Sequence, residues 1–483
     1  MVDTVLSSRT KLTADVAVIG AGSGGLSVAS GAAQLGLNVV LFEGDEMGGD
    51  CLNYGCVPSK ALLATSNTLQ VIKDAEKLGI EVATPKANWA AVKAHLQSVI
   101  AEIAPVDSQE RFEGLGVKVI REVAHFTSPS SLASESYEVT ARRIVIAAGS
   151  VPLIPGVEGL ASRPFWTNET IFDMPDLPEH LIVLGGGPIG LEMAQAFHRL
   201  GSNVTVVEMG QPLRRSDPVH AAQLVSLMRE EGITILDHHK AIEVKGGQND
   251  LTLIAEGPDG PVEIHGTDLL VAVGRTPALD LLELDRGEVD SDRNGIVTKP
   301  NLRSVSNPNV WAVGDIAGRG QFTHLAGWHA SIFVQAALMK LPSKAVTDQL
   351  PAVTFVDPEI GQIGLTEAEA REKHGDSVET VEFPFDEIDR AITDRQKTGS
   401  LRLVIRKNGK ILGASVLGQA GGEILQILSL AMANKLTMRD LTKYMSPYPT
   451  RAEIVKRAAS KHFQPKVFGP MAKKLVGILQ RIP

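Results

Sequence analysis

The feature that most constrains this chain is a unit that it writes twice. ADVAVIGAGSGG is an apolar run opening into Gly20, Gly22 and Gly25, and HLIVLGGGPIG is another opening into Gly185, Gly187 and Gly190. Each is followed by a helical pattern, a second apolar run (NVVLFE, then NVTVVE) and a terminal acid. The acids are Glu43, eighteen residues after Gly25, and Glu208, eighteen after Gly190. Strand, glycine-rich turn, helix, strand and acid in that order make a dinucleotide-binding fingerprint. The glycines permit a tight turn and close approach to a pyrophosphate, the helix N-terminus receives its negative charge, and the acid takes the adenosine ribose. A lone GxGxxG is a common strand-to-helix turn, whereas two complete copies predict two dinucleotides on two Rossmann-like α/β domains. Glu208 favours NAD over NADP, because a 2′-phosphate would meet its carboxylate. Arg214 and Arg215 follow closely and read either as a solvated loop or as phosphate acceptors.

The chain contains only two cysteines, Cys51 and Cys56, in GGDCLNYGCVPSK. Several readings stand side by side. They are a pair of buried apolar thiols, half of a zinc site lacking a CxxC or His-rich partner segment, a structural disulfide that a reducing cytosol and a short loop disfavour, or a catalytic redox pair. The flanking residues favour the last. Pro58 can occupy the first turn of a helix running through SKALLATSN. Cys56 then lies just before a helix N-terminus, where the dipole and free amides stabilise a thiolate. Cys51 is close enough along the chain to form a strained, reducible disulfide with it, and Lys60 adds a positive charge one turn further on.

The remaining composition excludes more than it assigns. There are 47 basic and 56 acidic residues, a net charge of −9, which argues against a nucleic-acid or polyanion binder. A hydrophobic content of 43% excludes a disordered chain. No long apolar stretch free of charge or glycine occurs, and MVDTVLSSRTKLTADVAVIG has no apolar core of a signal peptide. Neither a membrane span nor a leader is expected, and the protein reads as cytoplasmic. Residues 60–113 read as helical. ARRIVIAAGS, LLVAVGRTP and NVWAVGDIAG read as strands ending in turns. From about residue 351 the pattern changes: TFVDPEIGQIGLT, LRLVIRKNGKILGASVLG and helical runs at 422–436 predict a separate α+β domain, with Asn408-Gly409 as a hairpin turn.

Together these residues resemble the flavin-dependent pyridine nucleotide–disulfide oxidoreductases over nearly the whole chain. GGDCLNYGCVPSK is similar to the family's redox-disulfide signature, AAGS and VWAVGDIAG to its second and third FAD motifs, and FVDPEIGQIGLT and PYPTRAE to its dimerisation domain. The resemblance implies an α/β fold with an FAD domain (residues 1–157 and 279–350), an NAD(P) domain (158–278), an α+β dimerisation domain (351–470) and a tail (471–483). It implies that Gly20, Gly22, Gly25 and Glu43 bind FAD, with Ala124 and Ser150 touching it through their turns. Asp315 would hold the ribityl chain, with Leu325 and Ala326 beside the ring. Gly187, Glu208 and Gly274 would serve NAD(P)H. Lys60 would sit near the flavin and pair with Glu192, Cys51 would be the interchange thiol, and Cys56 the charge-transfer thiol. A homodimer is implied, acting on a small thiol, disulfide or lipoyl-type substrate that is free or protein-borne, with no resident metal.

One segment departs from that pattern. Dihydrolipoamide dehydrogenase and glutathione reductase carry H-P-x-x-x-E near their C-terminus, where the His is acid/base for the interchange thiol. Here the sequence runs from Tyr448-Pro449 to Glu453, so the Glu is present and the His position is tyrosine. A phenol with pKa near 10 is a poor general base at pH 7, and losing a positioned acid/base costs on the order of a hundredfold or more. Tyrosine here resembles mercuric reductase, yet that enzyme's C-terminal cysteine pair has no counterpart in KKLVGILQRIP. The expected function is an FAD-dependent NAD(P)H:disulfide oxidoreductase. A mercuric-reductase-like metal-ion reductase and a slow flavin redox sensor or partner-binding protein are the alternatives. His324 and His329, near the third FAD motif, read as helix-packing residues, with His324 able to approach the ring. PMAKKLVGILQRIP, short, apolar and basic, reads as a terminal docking helix in preference to a membrane-surface contact.

Overall fold

The computed structural model describes residues 9–83, 85–247 and 250–482. The first eight residues of the expected FAD domain and the last residue of the expected tail lie outside the described residues.

Three sheets organise the chain. The first has five parallel strands, in the order Val310–Ala312, Ile144–Ile146, Val16–Ile19, Val39–Phe42, Val117–Ile120. Every residue of Val16–Ile19 and Val39–Phe42 is buried, as a parallel sheet covered on both faces requires. The second has four parallel strands, in the order Thr234–Leu236, Asn203–Val207, His180–Leu184, Asp268–Val271. Beside it lies an antiparallel meander of Lys240–Gly247, Asp250–Gly257 and Gly260–Gly266. The third is antiparallel throughout, in the order Ala352–Thr354, Glu359–Gly364, Ile411–Gly418, Ser400–Arg406, Val378–Pro384. Helices Gly421–Ala433 and Glu453–Val467 cover it with Leu425, Leu428, Ile454 and Ala458. The change of grammar near residue 351 is therefore a change from parallel to antiparallel pairing. Asn408-Gly409 does turn the hairpin between Ser400–Arg406 and Ile411–Gly418, with Gly409 at φ +85°.

The two fingerprints fold alike because their sterics are alike. A Cβ on Gly20 would lie 2.5 Å from the Ala147 carbonyl, and one on Gly185 would lie 2.5 Å from the Ala272 carbonyl. A Cβ on Gly25 would lie 1.8 Å from the Gly20 carbonyl, and one on Gly190 would lie 2.0 Å from that of Gly185. Gly20 and Gly185 also have φ of +99° and +113°, a region that disfavours any side chain. Each turn feeds a helix lying back on its sheet, Ser23–Gln34 in the first unit and Pro188–Leu200 in the second.

Two buried polar clusters tie the units together. Arg199, 4% exposed, bonds Glu231 at 2.5 Å, Asp357 at 2.9 Å and Asn67 at 2.6 Å. It thereby joins the second Rossmann unit, the antiparallel unit and the helix that follows the cysteines. His220, fully buried, lies 2.7 Å from the Ser415 hydroxyl and 2.8 Å from that of Ser400.

Two expectations need correction. Residues 60–113 are not one helical stretch: Cys56–Asp74 ends in a tight turn at Ala75–Leu78, and helix resumes only at Trp89–Asp107 and Gln109–Gly114. Gly79 at φ +82° ends that turn, and the Asn88 side chain caps the next helix by accepting from Ala91 N–H. The tail does form a helix, Pro470–Leu479, but it buries no residue and so docks on nothing within the chain.

Candidate redox site

Cys51 lies on the short helix Gly49–Asn53, and Cys56 is the first residue of Cys56–Asp74. The glycines before them fix this segment on the first fingerprint. Gly48 N–H donates to the Ala21 carbonyl at 3.0 Å, and a Cβ on Gly49 would lie 2.7 Å from Gly22 Cα. The sulfur pair is thus built onto the turn that the first fingerprint makes.

Both cysteines are free thiols, and their environments push them apart. Cys56 is lowered to about 6. The main cause is a hydrogen bond from the Cys51 thiol; burial opposes it, and Thr323 and the Lys60 charge add to the lowering. Cys51 moves strongly upward, because it donates to Cys56 and is itself buried. Thr323 Oγ1 lies 3.5 Å from Cys56 Sγ and is the first residue of the helix Thr323–Phe333. Neither helix has a side-chain cap or an acid in its first turn. Two positive helix ends therefore converge on one sulfur.

Lys60 Nζ pairs with Glu192 Oε2 at 2.6 Å and lies 4.7 Å from the centre of the Phe355 ring. Glu192, on the second Rossmann helix, is buried, and its other oxygen accepts from Phe355 N–H at 2.9 Å. On the other side a chain of polar contacts runs from Asp315 through Ser150 to Arg275. Ser150 Oγ donates to Asp315 at 2.7 Å, and Arg275 donates to the Ser150 hydroxyl at 2.8 Å and carbonyl at 2.6 Å. The same guanidinium bonds Asn168 at 2.9 Å and lies 3.1 Å from Asp50, the neighbour of Cys51. Burial pushes the Asp315 carboxyl above the usual range, against the hydrogen bond from Ser150 and the Arg275 charge.

The residues that would hold dinucleotides fit that task. Glu43 accepts from Ala21 N–H at 2.5 Å and Asp45 N–H at 2.8 Å. Glu208 repeats this with Gly186 at 2.7 Å and Gly210 at 2.8 Å. Both carboxylates are thereby fixed beside their turns, where a ribose would lie. The helices after Gly22 and Gly187 have no side-chain cap and no acid in the first turn, so their amides and dipoles are left for an anion. A Cβ on Gly187 or Gly274 would meet nothing within 4 Å, so both border open space. Ala326 is buried, with its Cβ 3.4 Å from a Cβ placed on Gly24, and Leu325 and Ala124 are buried too.

Tyr448 and Glu453 stand elsewhere in the chain. Tyr448 is 69% exposed and donates to Asp389 at 2.9 Å, which raises its phenol further above 10. Glu453 opens the last buried helix and accepts from Thr450 N–H at 3.4 Å. Among the described residues, neither shares a hydrogen bond or ion pair with the cysteine segment of its own chain. His324 is tied to the Pro351 carbonyl at 3.0 Å and stacked on Phe322, while His329 is buried and accepts from Gly314 N–H at 3.2 Å. Sequence reasoning did not find Asp50, Asn168, Thr323 or Phe355. Arg275 was seen only as the end of a strand. An arginine directly after the last glycine of the second unit was the one available signal.

Comparison with known proteins gives the family. Residues 14–330 match the family described as pyridine nucleotide-disulphide oxidoreductase, and residues 350–459 match the dimerisation domain of the same family, which supports a homodimer. The chain is 32% identical over 452 residues to a mercuric reductase of Streptomyces lividans, covering 92% of this chain and 95% of that protein. It is 34% identical over 457 residues to a dihydrolipoyl dehydrogenase of Thermus scotoductus, covering 92% and 97%. Among solved structures it resembles the HOCl-induced flavoprotein disulfide reductase RclA of Escherichia coli, including its Cu(II) complex, with a TM-score of 0.81, 25% identity, and 92% and 99% of the two chains covered.

Proposed function

Because the chain belongs to the pyridine nucleotide-disulphide oxidoreductases, flavoenzymes that use FAD and NAD(P)H and act on sulfur groups, we propose that it reduces a small or protein-borne disulfide with electrons from NADH. The observation that carries this reading is the placement of the sulfur pair: Cys56 opens a long helix with the Thr323 hydroxyl 3.5 Å from its sulfur, and Cys51 on the preceding short helix donates to it. FAD, when bound, supplies the two-electron exchange between nicotinamide and sulfur.

The chain's own groups do the rest. Gly20, Gly22, Gly25 and Glu43 would hold one dinucleotide, with Ala124, Ser150, Asp315, Leu325 and Ala326 around it. Gly187, Glu208 and Gly274 would hold the other, and the Glu208 carboxylate would repel a 2′-phosphate. Lys60, positioned by Glu192 at 2.6 Å, would sit near the flavin. In the reduced pair, Cys51 attacks one sulfur of the substrate disulfide as its proton passes to the other sulfur, which leaves as a thiol. The Cys56 thiolate then attacks Cys51 Sγ, which closes the Cys51–Cys56 disulfide and releases the second sulfur as a thiolate that takes its proton from water. Tyr448, paired with Glu453 in sequence, would reach this step from the partner subunit. Its phenol makes it a hydrogen-bond donor and a poor proton acceptor. The same proposal places the enzyme in the cytoplasm, where NADH is supplied and both thiols stay reducible; no helix among the described residues is long and apolar enough to cross a membrane.

A second reading rests on the same Tyr448. Without an imidazole, the thiolates suit a soft metal ion as well as a disulfide, and relatives are named mercuric reductases. One experiment separates the two. The enzyme is reduced anaerobically with NADH, then mixed with lipoamide, glutathione disulfide, Hg(II) or Cu(II), and the long-wavelength thiolate–flavin band is followed. Rapid reoxidation by a disulfide supports the proposal; reoxidation by metal ions alone transfers the assignment to them. Reduction by NADPH as fast as by NADH would remove the role given to Glu208.

A further inference from the structure

The described structure leaves one element without a partner: the helix Pro470–Leu479, joined to the last packed helix through Phe468 and Gly469. It buries no residue. Met471 is 87% exposed, and Leu475, Val476, Ile478 and Leu479 lie between 49% and 56%. At about 100° per residue, Met471, Leu475, Ile478 and Leu479 share one face, and Lys473, Lys474 and Gln480 share the opposite one. Folding a chain of this size leaves single apolar residues exposed, but rarely a continuous helical face.

Charge identifies what would cover it. From Ile454 to Ile482 the sequence has seven lysines and arginines and no aspartate or glutamate, whereas the whole chain carries −9. An amphipathic helix with an apolar face, a lysine face and no acid matches an anionic lipid surface. The same helix of a second copy, meeting it across a two-fold axis, matches it poorly, since two cationic stretches would come together. The matched dimerisation domain also ends at residue 459, before this helix begins.

We propose that the helix Pro470–Leu479 binds the surface of membranes rich in anionic lipid, with its apolar face in the headgroup region and Lys473 and Lys474 at the phosphates. The attachment is peripheral, since ten residues of helix are far too short to span.

The test uses the full-length, FAD-loaded protein and sedimentation with vesicles of phosphatidylcholine alone or with phosphatidylglycerol added. Binding to the phosphatidylglycerol vesicles that falls with added salt is the expected result. The double substitution Lys473→Glu, Lys474→Glu should lower the partition about tenfold or more, and Leu475→Glu with Ile478→Glu should abolish it. Both should leave flavin absorbance and thermal midpoint unchanged, because the helix supports nothing else in the chain. No binding to anionic vesicles overturns the proposal, as does equal binding to phosphatidylcholine. So does an absence of vesicle binding together with dissociation of the homodimer on removing residues 470–483, which would assign the face to a second copy.

Discussion

The titration of Cys56 is the most exposed consequence of this site. With its thiol lowered to about 6, about nine-tenths of it should be thiolate at pH 7, against about one part in thirty for an unperturbed thiol. The Thr323 hydroxyl at 3.5 Å is one of two hydrogen bonds to that sulfur. A hydrogen bond to a charged group is worth about 1.5–3 kcal/mol, so Thr323→Val should raise the midpoint by about one unit or more. At pH 6 the ionised fraction would then fall several-fold. Replacing Cys51 by Ala should raise the midpoint further, because the Cys51 thiol is the larger cause. The assay is the pH dependence of iodoacetamide alkylation of the reduced protein, with the modified residue located by peptide mass. An alkylation midpoint near 8.5 in the parent would refute the reasoning, and so would a Thr323→Val variant that titrates like the parent.

Two of the glycines of the second fingerprint should separate folding from binding. Gly187→Ala, with nothing within 4 Å of the new Cβ, should keep the parent's thermal midpoint and lose NADH affinity, whereas Gly190→Ala, 2.0 Å from the Gly185 carbonyl, should lower the midpoint itself; equal midpoints in calorimetry would contradict this. Glu192→Gln removes the 2.6 Å partner of Lys60 from a buried position and should cost about 1–3 kcal/mol in urea unfolding, so a variant within 0.3 kcal/mol of the parent, taken as roughly the error of such a measurement, would show that the pair is idle. His220 is lowered to about 4, chiefly by burial, so the unfolded chain binds the extra proton between about pH 6.5 and 4 and stability falls as pH drops through that window. The term amounts to about 2 kcal/mol between pH 7 and pH 5, and urea unfolding of His220→Gln should lack it; a loss on acidification identical to the parent's would refute the assignment.

What the sequence made legible follows from where the physics is local. The fingerprints were readable because each glycine answers a steric demand within its own turn, and the acids sit at a fixed distance along one strand. Cys56 was readable because Pro58 and the following run announce a helix start. Thr323 and Arg275 were not, since what each does depends on contacts made across the fold: Thr323 meets a sulfur 267 residues away, and Arg275 reaches Asp50 and Ser150 from the end of another unit's strand. No period or motif encodes such a meeting. The break between Asp74 and Trp89 was obscured for a different reason: apolar residues on both sides keep a helical rhythm, although Gly79 and Pro85 punctuate it. The tail's composition predicted its helix correctly, but whether a helix is covered is a property of the whole molecule.

The meeting of Thr323 with Cys56 also bears on how the protein is made. Translation delivers the cysteine long before the threonine, so a nascent or truncated chain holds a sulfur deprived of its second helix end and of that hydroxyl. Such a fragment would hold a less acidic thiol, and Cys56 would gain the Thr323 share of its thiolate stabilisation only as the carboxyl-terminal part of the first Rossmann unit closes over it.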